Sequence, residues 1–250
     1  VRRQIRYDEG ARYIEKISGE NHNMTTLTPE ELKQSHTVLT EYKYELQPVE
    51  RGYANRTLHI NLSDNSVTSK PVTEQMKELF TGGKGFDLWL MWNSLPKDRA
   101  VNWDDPENEL CIACGPLGGT TMYPGSGKSI VAAISPLTNN IVDSNVGGYF
   151  GPYLKFSGFD AMEVRGKTKQ DVIIFIDGID GNIQILETFG LPVESYDLSA
   201  ILTEHFSKGK PRNISVVSTG PGARNTLIGC LNFTWYDLKR KRARYKQAGR

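Results

Sequence analysis

The chain has 250 residues, 38% hydrophobic and 24% charged, with a formal net charge of +1. That composition suits a globular protein with a real core and argues against a dedicated nucleic-acid binder. No run approaches the roughly 18 apolar residues of a membrane span, so no membrane contact is expected. Three cysteines cannot build a disulfide framework. With no signal peptide in view, the expected setting is a reducing cytoplasm.

In chain order, residues 1–50 are polar, with one well-marked helix start. Thr28 is the N-cap, Pro29 occupies the first helical position, and Glu31 completes a capping box ahead of Leu32. This segment reads as a loosely packed extension. From Gly52 the texture changes. Two short strands, "RTLHINL" and "SVTSKPV", flank a Ser63-Asp-Asn-Ser66 turn and read as a hairpin. Thr73 caps a helix running to Phe80. A second helix follows Gly82-Gly-Lys-Gly85, with Phe86, Leu88, Trp89, Leu90 and Trp92 nearly all round it, which predicts burial. "ELCIACGPL" and "SIVAAIS" read as buried strands, "DAMEVRG" as another. "DVIIFIDG" and "GNIQILE" pair through an Asp177–Gly181 turn. Leu198, Ile201, Leu202 and Phe206 mark one face of a helix, "NISVVSTG" the next strand, and Ala223–Phe233 a last helix. Without a steady βαβ alternation, the fold class is α+β.

Five motifs invite chemistry. "YPGSGKS", Tyr123–Ser129, resembles a nucleotide-binding loop. Its required first glycine, however, falls on Met122, and "SIVAAIS" behind it has strand rather than helix length. Lacking a helix N-terminus, the loop is a poor ATP or GTP site, though its glycines and Lys128 could serve a phosphate in another setting. Cys111 and Cys114 lie three apart on a strand and so face opposite ways, which favours core packing over a shared metal. Gly220-Pro-Gly222 precedes a helix but lacks the third glycine of a dinucleotide fingerprint, leaving a glycine turn or a generic anion site. "KRKRARYKQAGR" carries seven basic residues in twelve. It is either a solvated face or a nucleic-acid patch, with Tyr236 and Tyr245 as stacking residues. The small, polar Ser144-Asn-Val-Gly-Gly148 is a turn or a ligand cradle in which backbone comes close to a bound group.

Taken together, "NELCIACGPLGGT", "PGSGKSIVAAISPLTNNIVDSNVGGYFGPYLKFSGFDAMEVRGK", "STGPGARN" and the closing "QAGR" resemble the N-terminal domain of the tungsten-containing aldehyde:ferredoxin oxidoreductase family, from about Gly52 to Arg250. The resemblance implies two mixed β-sheets with a few helices, forming a base for a bis-pyranopterin cofactor (tungstopterin) that holds tungsten or molybdenum. It implies that Asn145 and Gln247 offer backbone carbonyls to a magnesium ion (Mg2+) bridging the two pterin phosphates. Lys128 and Lys246 would lie near those phosphates, where the family has arginine, and Gly147 and Gly148 would allow close approach. Gln247 replaces a family alanine, a change that a backbone ligand tolerates. The basic segment then reads as cofactor anchoring.

The implied reaction oxidises an aldehyde or related carbonyl compound to an acid. Electrons leave through a [4Fe–4S] cluster, whose ligands are not in this chain, to ferredoxin or another iron–sulfur acceptor. No catalytic side chain is expected in residues 1–250, which read as a 1–50 extension plus a 51–250 domain. The domain is expected to be a fragment truncated at its C-terminus and inactive alone. Alternatives are a relative acting on aromatic thioesters, or a non-catalytic scaffold that kept the fold. A homo-oligomer is common in the family.

Overall fold

The computed structural model describes residues 31–32, 35–227 and 229–248. The Thr28–Pro29 helix start lies outside these. Among the described residues, twelve strands fall into three sheets, one more than expected, with few and short helices, so the α+β class holds. The largest sheet is mixed and six-stranded. In spatial order it comprises β3 (Ser66–Pro71), β2 (Arg56–Asn61), β7 (Ala161–Arg165), β4 (Glu109–Ala113), β5 (Ser129–Ile134) and β6 (Ile141–Val146). Only β2 and β7 run parallel.

Alternation along these strands sorts their side chains onto two faces. Leu58 and Ile60 of β2, Ile112 of β4 and Met162 of β7 join a core with Ile183 and Ile185 of β9 (Asn182–Glu187) and Phe233 of β11 (Leu231–Asp237). The opposite face, with Cys111, Ala113, Ala132 and Ala161, packs under α1 (Glu74–Leu79) and α2 (Lys84–Ser94). Thr73 caps α1 as expected, its side chain accepting from the Met76 N–H. Cys111 and Cys114 are both fully buried, and burial pushes the Cys114 thiol up to about 11. They are core residues.

Several expectations need correction. Part of the segment expected to be loosely packed forms an ordered strand, β1 (Thr37–Lys43), paired with β9 in a β1–β9–β8 sheet, β8 being Val172–Asp177. Tyr42 and Thr40 hydrogen-bond to Ser69 and the Asn65 carbonyl, tying that sheet to the β2–β3 hairpin. Apolar residues all round α2 did not bury it: Phe86, Leu90 and Met91 go inward, while Trp92 is 70% exposed with Lys97 over its ring. "NISVVSTG" yields only a two-residue strand, β10 (Val217–Ser218). The helix expected around Leu198–Phe206 forms as α4 (Ser195–Phe206), but that expected over Ala223–Phe233 is a four-residue turn, α5 (Gly222–Asn225), followed by β11. Phe233 is the reason, since as a strand residue it seats in the main core against Phe150. Finally, the basic run folds back on β11 as β12 (Arg242–Ala248). Among the described residues no helix is long and apolar enough to cross a membrane.

Candidate functional site: the junction of two sheet edges

β6 is the outer strand of the six-stranded sheet and β12 the outer strand of the β10–β11–β12 sheet. These two edges lie against each other. Around that junction the structure gathers three segments that are far apart in sequence. The first is the glycine-rich loop that ends at Lys128. It turns back on itself through Gly119 N–H to the Ser126 carbonyl (2.9 Å) and Ser126 Oγ to the Thr120 carbonyl (2.6 Å). Its base is anchored from below. Lys155, on α3 (Phe150–Phe156) and 1% exposed, donates to the Gly115 carbonyl. The loop runs directly into β5, as its length of β-branched residues predicts, so Lys128 stands exposed with no helix behind it.

The second segment is the end of β6. Asn145 is exposed and pairs in register with Ile130, and Ser129 pairs with Val146, so the loop exit and Asn145 are neighbours on adjacent strands. The chain then turns at Gly148, whose φ of 128° is left-handed backbone that only glycine adopts freely. A Cβ on Gly127 would collide with the Gly148 carbonyl oxygen, so these two stretches of backbone touch. Gly148 also faces β11, where a Cβ would lie 3.7 Å from the Thr234 carbonyl oxygen. Gly147 sits between them, half-buried.

The third segment is β12. Its register places Lys246 opposite Phe233 and Gln247 opposite Asn232. The hairpin that sets this register is fastened by Asp237. That carboxylate accepts from the Lys239 and Arg240 N–H groups and from the Arg240 guanidinium, which together hold it below the usual carboxylate range. The other carboxylate at the junction, Asp143 on β6, is paired with Lys84 at 2.6 Å. Asp143 is thus matched, while Lys128 remains an exposed cation without an ion-pair partner among the described residues. Such an arrangement favours an anionic group.

Lys128, Asn145, Gly147 and Gly148 thus lie on the β5–β6 side of the junction, and Lys246 and Gln247 on the strand that abuts it. Sequence reasoning named Gly127 only among the loop's glycines and did not find Lys155. The Gly-Lys pair signals Gly127, but nothing in a sequence marks Lys155, because a lysine on a short helix ordinarily reads as solvated. Nor does it show Trp235 of β11, whose ring meets Tyr149 edge-on beside Gly148, because that stretch abuts the expected helix. The four-residue α5 offers no helix terminus for the Gly220-Pro-Gly222 anion reading.

The sequence profile of the aldehyde ferredoxin oxidoreductase N-terminal domain matches residues 57–250. The chain belongs to this family. As a member of it, the chain is 33% identical over 179 residues to the tungsten-containing aldehyde ferredoxin oxidoreductase of Pyrococcus horikoshii, and 34% to that of Thermococcus kodakarensis. Both matches cover 70% of this chain and 28% of the relative. An aliphatic sulfonate oxidoreductase, WOR-like subunit, of Pyrococcus furiosus is 30% identical over 193 residues, with 70% and 29% covered. The fold recurs in the active-site complex BamBC of benzoyl coenzyme A reductase, solved with 1,5-dienoyl-CoA. There the TM-score is 0.67 at 23% identity, over 79% of this chain and 28% of that one. The family domain thus spans little more than a quarter of the length of the curated relatives it matches.

Proposed function

We propose that the β6–β12 junction is the base for a bis-pyranopterin cofactor of a tungsten or molybdenum oxidoreductase. The observation that carries this reading is the convergence of Lys128, Asn145–Gly148 and Lys246–Gln247 on two abutting sheet edges. The residues present fit such a group: two glycine backbones in contact leave room for close approach, and exposed Lys128 has no ion-pair partner among the described residues. Lys128 and Lys246 would neutralise the pterin phosphates. As point charges they lack the two-pronged grip of arginine and hold these anions less specifically. The backbone carbonyls of Asn145 and Gln247 would face a magnesium ion from opposite sheets. Gly147 and Gly148 would admit the cofactor edge.

When bound, the cofactor supplies two-electron redox chemistry, with an aldehyde or related carbonyl compound as the substrate class. A [4Fe–4S] cluster would be held outside residues 1–250 and would pass electrons to a separate ferredoxin-type protein. We place the domain at residues 51–250, with 1–50 an extension whose last strand, β1, docks on it.

The test is metal and pterin analysis of the full-length gene product purified without oxygen. Tungsten or molybdenum with two pterins per metal, and about four iron atoms per chain, is expected. A folded product free of metal and pterin would overturn the reading.

A further inference from the structure

A cavity of about 580 Å³ opens at the other end of the six-stranded sheet, between β2, β3, β7 and α2. β2 lies four strand positions from β6, or about 19 Å at ordinary strand spacing, so this is not the junction described above. Its floor is a row of buried polar side chains, in which His59 Nδ1 has no hydrogen-bond partner. Thr57 Oγ1 is 2.9 Å from His59 Nε2, and His59 Nδ1 is 2.6 Å from Glu163 Oε1. All three side chains are over nine-tenths buried. Trp89 and Met76 supply an apolar wall, and Asn93 and Ser94 of α2 supply further polar groups.

Two cations line the rim, and they are not equivalent. Arg165 lies beside Glu109 and Asp64, whose charges it already serves. Lys70, exposed on β3 opposite Thr57, has no ion-pair partner among the described residues. An apolar wall, a free cation at one end and a buried polar pair with an unsatisfied ring nitrogen on the floor define complementary features in a ligand.

We propose that this cavity binds a small organic carboxylate with a flat apolar body and a hydroxyl group at its far end. The carboxylate meets Lys70, the body lies against Trp89 and Met76, and the hydroxyl reaches the His59–Glu163 pair. A site that spends a buried polar pair on a ligand hydroxyl rejects the analogue lacking it, because the pair is left without its partner.

Titration calorimetry of the full-length protein with 4-hydroxybenzoate as probe tests this. One site per chain is expected. Benzoate and 4-hydroxybenzamide should each bind at least about tenfold more weakly, as should 4-hydroxybenzoate to Lys70→Ala or Trp89→Ala. Metal and pterin content should be unchanged in both variants, which separates this proposal from the cofactor reading. No binding at millimolar probe, equal binding of the amide, or full affinity in Lys70→Ala would each overturn it. So would loss of binding only when the metal cofactor is removed, since the probe would then be reporting the redox site.

Discussion

Lys128 and Gly127 are adjacent in the chain but have different physical jobs at the junction. Lys128 is exposed and makes no packing contact that the fold needs, so Lys128→Ala should leave the melting temperature within a degree or two while reducing retained metal and pterin. Full retention with normal activity would remove Lys128 from the site. Gly127 is a packing residue. A methyl group there meets the Gly148 carbonyl, which is backbone and cannot swing away. Gly127→Ala should therefore cost about 1–3 kcal/mol and also lower cofactor retention. Glu109 gives a prediction of another kind. Burial, with the nearby Glu163 charge adding to it, lifts its carboxyl to about 7, and its Oε1 has no hydrogen-bond partner. Between about pH 4.5 and 7 the unfolded chain releases this proton and the folded chain keeps it. Stability should consequently fall as pH rises through that window, by no more than about 3 kcal/mol, and level off above it. In Glu109→Gln the fall attributable to this group should vanish, as denaturant titrations at pH 5 and pH 8 would reveal.

Among the elements, those with a strong local code were legible and those specified by distant packing were not. Thr73 announces α1 because its hydroxyl can satisfy a backbone N–H whatever the tertiary context. The hairpin of β2 and β3 follows from alternation around a polar turn. β11 was hidden, because in isolation Ala223–Phe233 has helix-compatible composition and only the core pocket around Phe150 selects the strand. β12 was hidden for a similar reason. A strand of alternating basic residues carries little apolar signal, and its place is set by pairing with β11. The Asp237 turn joins these two strands, so its loss should be felt at both. Asp237→Ala removes acceptors from two backbone N–H groups and should cost about 1–2 kcal/mol. A matching drop in pterin content would show that β12 positions the phosphate-facing residues. Unchanged pterin would place that duty elsewhere.

For the whole molecule, the two core cysteines decide an outcome. Cys111 and Cys114 are sealed in the core with thiols held protonated by burial, so neither can ligate an iron–sulfur cluster as the fold stands. Residues 1–250 expressed alone should reduce no electron-accepting dye in the presence of an aldehyde and should carry no stoichiometric iron. The full-length protein should do both, and activity in the shorter chain would contradict the division of labour proposed here.

By itself, the sequence determined the α+β class, the family and most strands of the central sheet. These are written in local periodicity, turn chemistry and one long specific string, none of which needs a third dimension to be read. Only the tertiary structure decided that β6 and β12 abut, that Gly127 rests on Gly148, and that Lys155 anchors the loop base from the interior. It also decided that Thr57, His59 and Glu163 form one row. Each of these is a contact between strands or loops whose residues lie far apart along the chain or alternate along it with core residues. Such proximity is set by which apolar faces find each other in the core, a sum over many distant side chains that no single stretch of sequence contains.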